Sequence, residues 1–358
     1  MIMISVIIPV YGCGKKIYAC LDSLKKQTYK GFEVIIVNDC SPDDSKSIIE
    51  DYISRNPDLK VKLITHEVNK RCGGARNTGV KNSNGEYVFY LDQDDYLAPE
   101  TLEKLLENNK NYDCISCDVK EANGGVYSRT SLMELPEISD INREKLILEH
   151  GYVFGMLIKR SLLIDKDVCF PENVMFEDVF YNTNLFLEIN SFLHVCYCGV
   201  IRVGSPDSQT ASLSLPKIKD RIKSVALGYE SAKKRNNFDS VKNRALDKFF
   251  YYAYYSNVYF MLSKHWVPFS MKIIEVGKSE AAKVADSRYW INLIKNKTDM
   301  SAFTKFYLIK IYKNTFYSML FFILCSVIYN VKVVFNGIVN FSYRCCRGVI
   351  KCMKRIIH

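Results

Sequence analysis

The chain has 358 residues, 48% hydrophobic and 25% charged, enough for a full core plus an appendage, which excludes a disordered or fibrous protein. Its net charge of +10 is concentrated at one end: Met300 to His358 carries nine Lys and Arg and no acid, so the remainder is close to neutral. With no basic stripe across the body, a nucleic-acid-binding role is not expected.

Met1 to Val10 is apolar but has no basic flank or cleavage site, and it runs into Pro9 and Gly12, so it reads as a first strand. The 13 cysteines then suggest reduced thiols in a cytosolic protein. The pairs Cys114-x-x-Cys117 and Cys196-x-Cys198 lack partners at finger-like spacing, so a structural zinc is not expected. His194 reads as a packed strand residue rather than a ligand.

Ser5 to Pro9 is a β-branched strand, followed by a helix over Lys15 to Gln27 with Ile17, Cys20, Leu21 and Leu24 on one face. Phe32 to Val37 is an unbroken apolar run, as a parallel strand covered on both faces requires. A helix over Asp44 to Arg55, a strand at Lys60 to Thr65, a helix near Gly73 to Asn82 and a strand at Tyr87 to Leu91 complete a βαβαβαβ pattern. That pattern predicts an α/β fold with an open, mostly parallel sheet. Ligands of such sheets bind beyond the carboxyl ends of the strands. Pro9-Val10-Tyr11, Asn38-Asp39-Cys40-Ser41 and Asp92-Gln93-Asp94-Asp95 all fall at that edge.

Three carboxylates within four residues repel one another unless they face water or share a cation such as a divalent metal. They equally fit an acidic turn into a helix that begins near Ala98-Pro99-Glu100. Asp39 can accept hydrogen bonds from a base or ribose, or cap the next helix. Asn69 to Asn77 is a glycine-containing turn into a helix, able to present Arg76 to an anion, although on this segment alone a plain tight turn is the better reading. Glu177-Asp178 either compensates a helix dipole or, inside the same cleft, holds a general base.

Taken in order, Ser5-Val-Ile-Ile-Pro-Val-Tyr11, Val37-Asn-Asp39-Cys-Ser41, Gly74-Ala-Arg-Asn-Thr-Gly79, Tyr90-Leu-Asp-Gln-Asp-Asp95 and Phe176-Glu-Asp178 resemble the motifs of glycosyltransferase family 2. These are inverting enzymes with the glycosyltransferase-A fold, and the resemblance covers roughly residues 4 to 210. It implies that Pro9, Val10, Tyr11 and Asp39 hold the nucleoside, that Asp92 lies by the ribose or sugar, and that Asp94 binds Mn2+ or Mg2+ at the diphosphate. It also implies Asp178, paired with Glu177, as the base that deprotonates the acceptor hydroxyl. Arg76 would then stabilise charge on the leaving oxygen. Two positions depart from the family: Met156 stands where many relatives have Lys, and Gly204 where many have His or Arg. Arg202 or Ser205 is expected to supply the missing diphosphate contact.

From Lys217 to Thr298 the pattern is helical, and its aromatic run Phe249 to Tyr255 is expected to pack against the body. Asn314 to Val331 is 18 residues without charge, about 27 Å as a helix, just short of a ~30 Å hydrocarbon core. Arg344, Arg347, Lys351, Lys354 and Arg355 then share a helical face opposite Cys345, Val349, Cys352, Met353 and Ile356, a pattern that suits anionic lipid.

The division expected is therefore a catalytic domain over 1–215, a helical region over 216–300 and membrane-associating helices over 301–358, with the protein at the inner face of the cell membrane. The expected activity is metal-assisted transfer from a nucleotide-sugar, UDP-linked on family frequency, to a glycan or lipid-linked saccharide in cell-surface polysaccharide synthesis. A homo-oligomer is compatible with the sequence. The alternatives are a catalytically silent nucleotide-sugar or glycan binder and a membrane scaffold of a synthesis complex.

Overall fold

The computed structural model describes residues 2–235, apart from 108, 123, 128–132, 150–151 and 204–214. The expected helices of 236–300, the 314–331 segment, the basic tail, Gly204 and Ser205 therefore lie outside the described residues. Among the described residues, no helix is long and apolar enough to cross a membrane.

The elements run β1 (Ile4–Val10), a 3-10 turn (Gly14–Lys16), α1 (Ile17–Lys25), β2 (Phe32–Asn38), α2 (Ser45–Arg55), β3 (Val61–Thr65), α3 (Arg71–Lys81), β4 (Tyr87–Tyr90), β5 (Tyr96–Leu97) and α4 (Thr101–Glu107). There follow β6 (Cys114–Glu121), β7 (Val126–Tyr127), β8 (Glu134–Leu135), α5 (Asp140–Glu149), β9 (Met156–Lys159), α6 (Arg160–Asp165), α7 (Glu177–Glu188), β10 (Phe192–Arg202) and α8 (Leu215–Ala232).

The described strands form one sheet in the order β3-β2-β1-β4-β9-β6-β10-β5, with β7 beside β6 and β8 beside β10. The first four strands are parallel, as the βαβ pattern predicts. The sheet as a whole is mixed rather than mostly parallel. β9 is inserted antiparallel between β4 and β6, and β5, β7 and β8 also pair antiparallel. β9 is only four residues long, too short to show a period in the sequence, which is why the insertion was not anticipated.

Period-two alternation sends side chains into a core on each face. Ile4, Val6, Ile8 and Val10 of β1 join Val34 and Ile36 of β2 under Ile17, Leu21 and Leu24 of α1. Ile7, Ile35, Val37, Val88 and Tyr90 join Leu185 and Phe186 of α7 on the other side.

Helix α3 carries three glycines, each costing about 1 kcal/mol of helix propensity; close packing explains two of them. A Cβ on Gly79 would lie 2.3 Å from Ile7 Cγ2, and one on Gly73 would lie 2.6 Å from the Pro171 carbonyl oxygen. The helix can therefore press its backbone onto β1. Gly79→Ala is expected to destabilise the fold by ~1–3 kcal/mol through overpacking, read from the urea midpoint; an unchanged midpoint would show slack under α3.

Candidate active site

The carboxyl ends of β1, β2 and β4 lie side by side because these strands pair in parallel register, Val10 with Asn38 and Ile7 with Tyr90. The residues that follow them converge as the strand-edge rule requires. Pro9 and Val10 are buried ends of β1, so of this triplet Tyr11, 51% exposed, presents its side chain. Its backbone N–H donates to Gln93 Oε1 at 2.8 Å, and Gln93 Nε2 donates back to the Tyr11 carbonyl at 3.2 Å. Gln93, which the sequence reading passed over, thus ties the acidic loop to the first strand.

Asp39 is 2% exposed. Its Oδ1 accepts from His66 Nδ1 at 2.7 Å and from the Lys70 backbone N–H at 2.8 Å. Thr78 Oγ1 lies 2.9 Å from His66 Nε2, so both ring nitrogens have a hydrogen-bond partner. Asp39 Oδ2 is buried with no hydrogen-bond partner, a costly state for a carboxylate oxygen that a donor group on a ligand would relieve. Asp39 does not cap the next helix, α2, which begins at Ser45. His66 was missed because it lies one residue past β3 and belongs to no motif of its own. Its place follows from register: Thr65 pairs with Asn38, which brings the next residue beside Asp39.

Arg76 is the centre of the site. It is 3% exposed and donates to three carboxylates: Nη2 to Asp92 Oδ1 at 2.8 Å, and Nη1 to Glu177 Oε1 at 2.6 Å and Asp178 Oδ1 at 3.2 Å. Its guanidinium carbon lies 5.2 Å from the centre of the Phe170 ring, which stacks on Tyr181 with 3.9 Å between centroids. Its charge is matched inside the protein by Asp92, 16 positions on, and by Glu177 and Asp178, 101 and 102 positions on.

Glu177 and Asp178 form the first turn of α7, as the dipole reading anticipates, yet they also reach the acidic loop through Arg76. The residue before them, Phe176, is left-handed (φ 61°, ψ 38°). This conformation costs a non-glycine residue of order 1–3 kcal/mol and turns the chain sharply into the helix. Ser224 Oγ donates to the Phe176 carbonyl at 2.7 Å, bracing that turn from α8.

Burial, then Asp92, raises the Asp94 carboxyl, and the same two causes push Asp95 up to about 8. Asp95 Oδ1 accepts the Val203 backbone N–H at 2.9 Å. Burial also raises Asp178, against the pull of Arg76, to about 7. Carboxylate oxygens are the usual donors to a hard divalent cation, so Asp94 and Asp92 are the residues here that could hold Mn2+ or Mg2+.

Asp95 has a consequence for stability. Between the unfolded carboxylate range near ~4 and about 8, the folded chain keeps a proton that the unfolded chain has released. Its contribution is therefore complete below the unfolded value and lost as pH rises through the folded one. In metal-free protein, Tm should fall between about pH 6 and about pH 8.5, and fall less in Asp95→Asn, which retains an acceptor for Val203. Equal slopes in the two proteins would refute this.

Arg202, at the end of β10, is one-third exposed, 3.6 Å from Glu121 Oε1, with its guanidinium carbon 5.4 Å from the centre of the Phe154 ring. Met156 is fully buried in β9, so that departure from the family replaces a cation with core packing. Cys114 and Cys117 belong to opposite cores of the sheet and cannot share a metal.

A buried Asp39 carboxylate with one oxygen unpartnered, an acidic loop at the end of β4 and an acid pair from a later helix, all on the edge of an α/β sheet, are the arrangement expected of a glycosyltransferase-A domain. Residues 5–167 match the family model for glycosyl transferase family 2, and this part of the chain is a domain of that family. The chain is 32% identical over 204 residues to the uncharacterized glycosyltransferase EpsJ of Bacillus subtilis, covering 52% of this chain and 56% of that protein. It is 31% identical over 199 residues to the poly(ribitol-phosphate) beta-N-acetylglucosaminyltransferase TarS of Staphylococcus aureus, covering 53% of this chain and 33% of TarS. The matches thus span about half or less of these relatives. The crystal structure of S. aureus TarS 1-349 in complex with UDP-GlcNAc superposes with a TM-score of 0.69 at 24% identity, covering 82% of this chain and 83% of that one; this shows the shared fold.

Proposed function

We propose that the protein is an inverting, metal-assisted glycosyltransferase that moves a sugar from a nucleotide-sugar to a hydroxyl of a glycan or lipid-linked acceptor in cell-surface polysaccharide synthesis. One observation carries this reading: Arg76 gathers Asp92 of the acidic loop and Asp178 of α7 into one site. A donor-side carboxylate and a candidate base on separate elements are what displacement at a sugar carbon needs.

In this reading the base ring stacks on exposed Tyr11 and gives a hydrogen bond to Asp39 Oδ2, the oxygen left without a partner. A UDP-sugar is the first choice of donor, supported by the UDP-GlcNAc complex of TarS 1-349. Asp92 and Asp94 would hold a divalent cation, whose chemistry is neutralisation of diphosphate charge. Asp178 takes the proton of the acceptor hydroxyl as the new carbon–oxygen bond forms and the bond to the nucleoside diphosphate breaks. Attack opposite the leaving group inverts the anomeric carbon. Its raised proton affinity makes Asp178 a stronger base than a free carboxylate. Arg76 is a positioning residue, and Arg202 is the cation on hand for the diphosphate. The acid-free tail of 301–358 would hold this site at the inner face of an anionic membrane.

Nucleotide release from UDP-, GDP- and CDP-sugars, measured with and without Mn2+, tests the proposal. Metal-dependent release from one donor, lost in Asp94→Ala, is the expected result. Binding of a donor without release, even with membrane extract as acceptor, would establish a silent binder instead.

A further inference from the structure

A second group of ligating side chains lies on β6 and β10, apart from the acidic loop. Asp118, His194 and Cys196 bring a carboxylate oxygen, an imidazole nitrogen and a thiol sulfur within 4.8 Å of one another. Asp118 and His194 are 8% and 2% exposed, while Cys196 is at the surface. We propose that these three residues bind a zinc-type transition-metal ion, in a site separate from the nucleotide-sugar cation.

The local fold explains how they meet. β10 lies parallel to β6, but Val195 pairs with Cys117 and Cys198 with Asp118, so Cys196 and Tyr197 are extra residues on β10. A bulge of this kind re-aims side chains. Here the irregularity gathers Cys196 with His194, two residues before it, and Asp118 of the neighbouring strand.

The donor set suits zinc rather than magnesium or calcium. Zinc takes nitrogen, sulfur and carboxylate oxygen at about 2.0–2.3 Å in a tetrahedron, whose edges are then roughly 3.3–3.8 Å. His194 Nε2 and Asp118 Oδ1 are already 3.1 Å apart. Closing the triangle needs only an inward movement of the exposed Cys196 side chain, and that exposure provides a path for the ion. Met133 Sδ, 3.8 Å from Cys196 Sγ, adds a second sulfur at the rim.

A hydrogen-bonding partner for the second ring nitrogen of a metal-bound histidine is also in place. Ser116 Oγ, fully buried, lies 2.9 Å from His194 Nδ1. Without metal, Nε2–H donates to Asp118 and the serine hydroxyl donates to Nδ1. With metal, Nε2 is the ligand and Nδ1–H donates to Ser116 Oγ, a tautomer change that leaves the ring neutral. The Cys196 thiol gives up one proton. Outer partners of this kind typically affect affinity ~10–100-fold.

Cobalt is the probe of choice, because a thiolate ligand gives Co2+ a charge-transfer band and tetrahedral coordination gives intense d–d absorption. Purified full-length protein, freed of metal by chelator, should develop both on adding one equivalent of Co2+, and zinc should abolish them. Cys196→Ser, a change at an exposed position, should remove the charge-transfer band and weaken zinc binding by more than ~10-fold, and Ser116→Ala should weaken it ~10–100-fold. Asp94→Ala should leave the band intact, so failure of the glycosyltransferase reading and failure of this one are separable. Absence of the band in the wild type, or its persistence in Cys196→Ser, would overturn the proposal.

Discussion

Arg76→Ala is expected to destabilise the protein by ~3–5 kcal/mol, the usual result of removing one partner from a buried ionic cluster. Three carboxylates, on Asp92, Glu177 and Asp178, would lose their shared donor at once. The cation also fills the space against Phe170 and Tyr90, so lost packing adds to lost charge. Arg76→Lys separates the two contributions. An ammonium on a flexible stem keeps the charge but cannot span Asp92 and Asp178 with a rigid fork. Lys should therefore recover part of the stability in urea but little of the turnover. Wild-type stability and turnover in Arg76→Ala would show that the acids are held by something else.

Asp178→Asn is expected to lower kcat by ~10²–10⁴-fold, the contribution of one positioned base, with little change in donor affinity. The amide retains an oxygen for the Arg76 Nη1–H, so the fold should tolerate it. The pH profile makes the assignment specific. A base works in its ionised form, and Asp178 is raised from the usual carboxylate range to about 7. Wild-type kcat/KM should therefore climb with pH through the neutral region, while the residual rate of the variant should be flat there. An undiminished kcat in Asp178→Asn would move the base elsewhere, and Glu177 would be the next residue to test.

These two residues show how differently the parts of the site can be read from the chain. Asp92, Asp94 and Asp178 stand out in sequence because carboxylates clustered at a strand end or helix start are locally conspicuous. The parallel half of the sheet is equally plain: unbroken β-branched runs separated by amphipathic helices admit little else. The basic tail, too, is a property of composition alone.

Contacts between distant segments carry no local signal, and these set the chemistry. Arg76 as the link between β4 and α7, His66 behind Asp39 and Gln93 against Tyr11 each depend on strand register and helix placement, which no periodicity encodes. The same is true of β9, a four-residue strand inserted antiparallel where the preceding order suggested parallel neighbours, and of the β10 bulge that gathers Asp118, His194 and Cys196. Local spacing determines which residues can reach the sheet edge; only packing across the sheet decides which of their charges are matched within the protein and which remain for a ligand, because that balance depends on distances between groups far apart in the chain.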